Sequence, residues 1–162
     1  MMIIADDKGN ELLDIIDVSE LNADKEYGPV SHCLAVVKIG DEYLMGWNKW
    51  RKDWEIFGGC REDNETIREC ITRECKEELG LENVDFRYLG LMYYKIAPGY
   101  FNPEWHNEYG GLYGITLPQE YLQIIEEYRT DKEEVEKLAF YSDIKDNEKI
   151  AVIDEKLLEY WK

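Results

Sequence analysis

The stretch GCREDNETIRECITRECKEELGL, Gly59 to Leu81, decides the fold. Its second half reads as a helix with both ends marked. Thr66 followed three positions later by Glu69 is a capping box, and Gly80 stands where a left-handed C-cap residue belongs. The spacing therefore predicts a helix over 67–79. Successive residues turn by about 100°, so Ile67, Ile71 and Cys75, with Cys70 beside them, form a stripe that should face a sheet. On the same wheel Glu74 falls between Cys70 and Ile71, and Glu78 between Ile67 and Ile71. Glu77 lies about 60° from Glu74 on the Cys70 side.

Three carboxylates thus continue a buried stripe. Each meets the negative end of the helix dipole, unfavourable by about 0.3–1 kcal/mol. Clustered and desolvated, they also repel one another and resist ionisation. A conflict of this kind usually has a functional reason, although an acidic helix end that is merely solvated is the plain alternative. A divalent cation resolves the conflict. Hard ions such as Mg²⁺ and Mn²⁺ want oxygen ligands, and carboxylates at i, i+3 and i+4 converge above one helix face.

The same residues carry a resemblance. Gly59, Glu65, Arg73, Glu74, Glu77, Glu78 and Gly80 occupy every fixed position of the Nudix hydrolase signature, with Leu81 in its last apolar slot and Cys75 as a small departure in an earlier one. Phe57 stands where many members of that family have proline, a second departure. The resemblance implies a Nudix-type α/β/α sandwich, a mixed β-sheet flanked by helices. It also implies hydrolysis of a nucleoside diphosphate linked to another group, with Mg²⁺ or Mn²⁺. Carried over by position, Glu74, Glu77 and Glu78 would ligate metal, and the Gly58 carbonyl would add a ligand. Arg73 would orient a glutamate through a charge-assisted fork, and Glu65 would brace the loop before the helix. Gly59 and Gly80 would serve backbone geometry. The proton acceptor would be Glu77 or Glu78, or an acid of the later loop TDKEEVEKLAF, where Glu133 and Glu134 resemble the acidic loop before the last core strand of many members.

Outward from the box the chain reads as strands with few helices. MMIIADDKGNELLDIID is a hairpin turning at Asp7 to Asn10, and 19–29 is polar loop, so 1–28 forms an N-terminal hairpin and loop. HCLAVVKIG and EYLMGW form a hairpin about Gly40-Asp41. WEIFGG (54–59) is a short strand broken by glycines, and FRYLGLMYYKI (86–96) another strand. APGYFNPEWHNEYGG (97–111) is loop and LYGITL (112–117) strand. Pro118 to Tyr128 is helix, 134–142 strand, and EKLLEYWK a closing helix. This interleaving predicts an α/β or α+β sandwich and a single domain over 1–162.

Other residues offer weaker signals. Arg51 and Lys52 would grip phosphate, or form an exposed basic turn. Trp50 and Trp54 would stack on a base, or pack in the core. His32, on a strand, reads as structural, and Cys60 has no base paired with it. APGYFNPE resembles the ADP-ribose subgroup, which implies ADP-ribose or a nucleotide sugar as substrate. The N-terminal segment and EWHNE resemble isopentenyl-diphosphate isomerases, which gives isomerisation as an alternative. A non-catalytic nucleotide-binding module is another.

The chain has 162 residues, 44% of them hydrophobic, enough for one core. Its formal net charge of −17 disfavours nucleic acid and anionic membrane as partners and requires cations at any site for an anionic substrate. The four cysteines form no CxxC pair, so reduced thiols are expected rather than a disulfide framework. With no apolar run near the roughly 20 residues needed to span a bilayer and no secretory pattern at the start, a cytoplasmic location is expected. A homodimer is what the family resemblance implies.

Overall fold

The alternation in HCLAVVKI decides where the layers fall. In a computed structural model, which describes residues 2–162, these residues form strand β3 (His32–Ile39) at the centre of one nine-stranded mixed sheet. Cys33, Ala35, Val37 and Ile39 point into one core, Val36 into the other. That period of two is the pleat of a strand buried on both faces.

The strands before and after it are β1 (Ile4–Ala5), β2 (Glu11–Ile16), β4 (Glu42–Asn48), β5 (Asp53–Glu55), β6 (Phe57–Cys60), β7 (Arg87–Ile96), β8 (His106–Leu117) and β9 (Val135–Phe140). The main path runs β1-β2-β7-β8-β3-β4-β5, with β6 paired to β3 and β9 to β4. β8 runs parallel to β3 along its whole length, from His32 opposite Gly110 to Ile39 opposite Leu117. The other edge of β3 is shared: its first half pairs with β6 and its last residues with β4.

Helix α2 (Ile67–Leu79) covers one face, with α3 (Tyr121–Tyr128) beside it. Short helices α4 (Tyr141–Ile144) and α5 (Val152–Leu157) cover the other, and α5 runs on into a 3₁₀ turn at Leu158–Tyr160. The molecule is therefore an α/β/α sandwich around a mixed sheet, as expected. Among the described residues no helix is long and apolar enough to cross a membrane.

Several local expectations need correction. The polar segment 19–29 holds a short helix, α1 (Ala23–Tyr27), docked by fully buried Ala23. The glycine pair does not break a strand. The break falls at Ile56, and Gly58 and Gly59 lie within β6. The aromatic loop is shorter than its composition suggests, because His106 to Gly111 belong to β8 and pair with β7. Pro118 to Glu120 form a turn before α3, and residues 141–142 belong to α4. Met1, the first residue of the expected hairpin, lies outside the described residues.

Candidate active site

Helix α2 begins and ends as its sequence dictates. Thr66 Oγ1 accepts from the Glu69 amide at 3.0 Å, and Glu69 Oε1 accepts from the Thr66 amide at 2.8 Å. Gly80 is left-handed, at φ 66 and ψ 22. A side chain at Gly80 would also strike the backbone of Tyr128 at 2.5 Å. The chain leaving α3 thus passes directly over the helix end. There the amides of Thr130 and Asp131 donate to the Glu77 carbonyl at 3.0 and 2.8 Å. This carbonyl is one of the last-turn acceptors that a helix leaves unpaired. Capping it brings the loop after α3 onto the acidic end of α2.

The acids meet at that junction. Carboxylate oxygens of Glu78, Asp131 and Glu134 lie within 4.8 Å of one another. Glu78 is buried, and its Oε1 accepts from the Gly58 amide at 2.8 Å. Glu74 is buried alongside, close enough to raise the proton affinity of Glu78. The third helix acid differs from expectation: Glu77 is half exposed at the rim rather than part of the buried stripe. Burial drives the Glu78 carboxyl well above the usual range, and its acidic neighbours add to that push against the Gly58 amide. Burial likewise raises Glu74, opposed by Arg73, and raises Glu134, opposed by Arg51.

Arg73 organises the approach. Its Nε and Nη2 fork onto the two oxygens of Glu65 at 2.7 and 3.1 Å, while Nη1 reaches Glu74 Oε1 at 2.9 Å. Nη2 also donates to the Cys60 carbonyl at 2.9 Å. The fork holds Glu65 below the usual carboxylate range, and Glu65 accepts from the Glu62 amide, bracing the loop before α2. Gly59 supplies the room: a Cβ there would sit 2.6 Å from the Glu74 carboxylate. At Gly58, φ is +141°, and a Cβ would collide with the Cys33 carbonyl. The recorded contact from Gly58 to the acids is its amide, where the family role is for its carbonyl.

Gly58, Gly59, Glu74, Glu78 and Glu134 line a cavity of about 480 Å³, whose wall also includes His32, Arg51 and Asp154. Arg51 spans it, with Nε 3.0 Å from Glu55 Oε2 and a terminal nitrogen 3.7 Å from Glu134. The other weak candidates divide. Lys52 is exposed on the turn at φ 58, and Trp50 is largely exposed. Trp54 is buried in the core against the edge of Trp47, so it offers no face for stacking. Glu133 is exposed and donates its amide to Asp131, whereas Glu134 faces the cluster. Cys60 is exposed, and partial desolvation together with Glu74 and Glu108 raises its thiol, the reverse of a nucleophile's activation. His106 pairs at 3.5 Å with Glu108 and not with the box acids.

Two residues exceed the expectations. Asp131 joins the carboxylate cluster, and His32 lines the cleft, with burial lowering its proton affinity. The signal for Asp131 was its place in TDKEE, two positions before Glu133.

The donor set fits a hard divalent cation. It consists of carboxylate oxygens with no thiolate or imidazole among the converging three. The mutual repulsion of buried anions is what such a cation would relieve.

Comparison with known proteins agrees with this geometry. The NUDIX domain family model matches residues 30–160. A search of curated proteins gives no match. Among solved structures, the chain is similar to the Bacillus subtilis pyrophosphohydrolase BsRppH at a TM-score of 0.63 and 16% identity, covering 97% of this chain and 93% of that one. It is similar to a MutT NUDIX hydrolase from Burkholderia pseudomallei at TM-score 0.58 and 17% identity, covering 80% and 95%. A MutT protein from Bacillus halodurans gives 0.57 and 19%, covering 79% and 78%. At these identities the likeness is one of fold.

Proposed function

The chain belongs to the Nudix family, generally pyrophosphohydrolases acting on nucleoside diphosphate derivatives, and from that premise we propose a hydrolase that depends on Mg²⁺ or Mn²⁺ and cleaves a nucleoside diphosphate linked to another group. The observation that carries the reading is the convergence of Glu78, Asp131 and Glu134, with Glu78 and Glu134 lining one cleft beside Glu74.

In this reading Glu78 and Asp131 hold the cation, with Glu74 and half-exposed Glu77 completing the anionic wall. The cation, when bound, supplies neutralisation of the diphosphate charge and acidifies water for attack on phosphorus. Glu78 is oriented by the Gly58 amide, which takes one oxygen and leaves the other for the cleft. Arg73 fixes Glu74 and is itself fixed by Glu65, so the carboxylate keeps its direction whether or not a ligand is present. Glu134 takes the proton. Burial raises its proton affinity, the direction a proton acceptor requires. Arg51, between the cluster and the outer cleft, meets the phosphate on its outward side.

A panel of nucleoside diphosphate derivatives with Mg²⁺ and with Mn²⁺ tests this. Turnover is expected, and EDTA should abolish it. Glu134→Gln should lower kcat by about 10²–10⁴-fold, while calorimetry shows cation binding weakened but retained on Glu78 and Asp131. Nucleotide binding without turnover across the panel would refute the enzyme and leave a sensor.

A further inference from the structure

Two thiols meet beneath the helix that carries the acids. Cys33 of β3 and Cys70 of α2 are fully buried in one core, and their sulfurs lie 2.7 Å apart although the residues are 37 positions apart in the chain. Both thiols also point at the Gly59 carbonyl, at 3.8 and 3.7 Å. Carbon atoms in contact rest about 3.5–4.0 Å apart, and sulfur is the larger atom. A disulfide bond measures about 2.05 Å. The pair is therefore closer to bonding than to ordinary packing, and a further approach of about 0.7 Å would join it.

All four cysteines are free in this structure. Cys75 is buried in the same core, yet among the described residues it makes no hydrogen bond to either sulfur. Cys60 is exposed on β6. The packed pair is chemically quiet. A hydrogen bond to Cys70, then burial, raises the Cys33 thiol, and the thiolate is the form that attacks a disulfide. Exchange therefore begins when α2 lifts from the sheet and is completed as it docks, where both sulfurs are shielded from reductant.

We propose that Cys33 and Cys70 are a covalent cross-linking site, which under oxidising conditions forms a disulfide that fastens α2 to β3. The oxidant is a small-molecule disulfide of the glutathione class. One cysteine thiolate, uncovered when α2 lifts, attacks a sulfur of that disulfide and expels one thiol. The second cysteine then attacks the mixed disulfide, the Sγ–Sγ bond forms, and the second thiol leaves. Two protons and two electrons pass from the cysteine pair to the reagent, so one small disulfide becomes two thiols. Glu74 follows Cys70 by about one helical turn, and Cys33 lies opposite Gly59 in the β3–β6 ladder. The bond thus pins the acid-bearing helix to the strand beside the glycine that makes room for Glu74. It also removes freedom from the unfolded chain across those 37 positions. The cross-link is independent of the hydrolase reading.

The test is oxidation of the full chain with oxidised glutathione over a series of urea concentrations below the unfolding transition. Remaining thiols are trapped by an alkylating agent in denaturant, and peptides are mapped by mass spectrometry without reduction. A peptide pair joined through Cys33 and Cys70 is expected, forming faster as urea rises, with Cys75 recovered as the alkylated thiol. The cross-linked chain should melt about 4–16 °C higher than the reduced chain, and dithiothreitol with urea should reverse the gain. Cys33→Ser and Cys70→Ser should each abolish both the joined peptides and the shift. Recovery of Cys33 and Cys70 as free thiols at every urea concentration overturns the proposal, as does preferential pairing of either with Cys60 or Cys75. A cross-linked chain that melts lower than the reduced one also overturns it, because the native positions would then have to be distorted to form the bond.

Discussion

At the scale of the residue, the site depends on a missing side chain. Gly59 leaves the space that the Glu74 carboxylate fills, and Arg73 then clamps that carboxylate from the far side. Gly59→Ala should therefore displace Glu74 with little effect on the strand that carries it. The expected loss in kcat/KM is about 10–100-fold, the range for residues that orient metal ligands. Steady-state kinetics over a range of Mg²⁺ concentration checks it, and an unchanged requirement for the cation would count against the role. The box residues were legible because the motif is local: cap, stripe and acids all lie within one helix. Asp131 was hidden because its position is set by two hydrogen bonds to the Glu77 carbonyl, a contact between segments remote in sequence. His32 looked structural because a strand histidine usually is. The cleft it faces exists only once β6 and α5 have packed.

At the scale of the element, α2 is a self-contained unit with an imported active-site wall. Its N-cap residue, Thr66, lies about two turns from Glu74. Thr66→Ala should cost about 0.5–2 kcal/mol in urea unfolding and leave kcat within about twofold. The proximity of Glu55 in β5 to Asp154 in α5 leads to a pH effect of definite sign. Glu55 and Asp154 hold their protons more tightly folded than unfolded, so the folded chain binds more protons between the two sets of values. Stability from this source is full below the unfolded values and falls as pH rises, through about 7 for Asp154 and about 9 for Glu55. Asp24 and Glu65 act oppositely, since Arg61 and Arg73 depress them, but their contribution is complete once pH exceeds the ordinary carboxylate range. Midpoints of thermal unfolding should thus decline from about pH 5 to about pH 9, and Glu55→Gln should flatten the slope. Elements misread from the sequence share a cause. Glycines and polar residues in 57–60 and 106–111 imitate loop, yet they are strand because β3 and β7 supply the partners and the glycines let Glu74, His32 and Ile67 approach.

At the scale of the whole molecule, charge decides how substrate arrives. On the reading proposed above, a chain of net charge −17 repels an anionic substrate at a distance, and Arg51 and a cation at Glu78 would supply the attraction. Raising salt from about 10 mM to 0.15 M shortens the screening length from about 30 Å to about 8 Å. It should raise kcat/KM, where a positively steered enzyme would lose it. Stopped-flow or initial-rate measurement against salt concentration, at saturating Mg²⁺, distinguishes the two.

The parallel ladder between β3 and β8 has a bearing on how the chain reaches this state. Two segments far apart along the polypeptide must find each other before the central strand has both neighbours, so loop-closure entropy is met early and refolding belongs with the slower, non-local topologies of milliseconds to seconds. Any nascent or truncated chain ending before Leu117 would hold an apolar strand with one side bare, open to pairing with another copy.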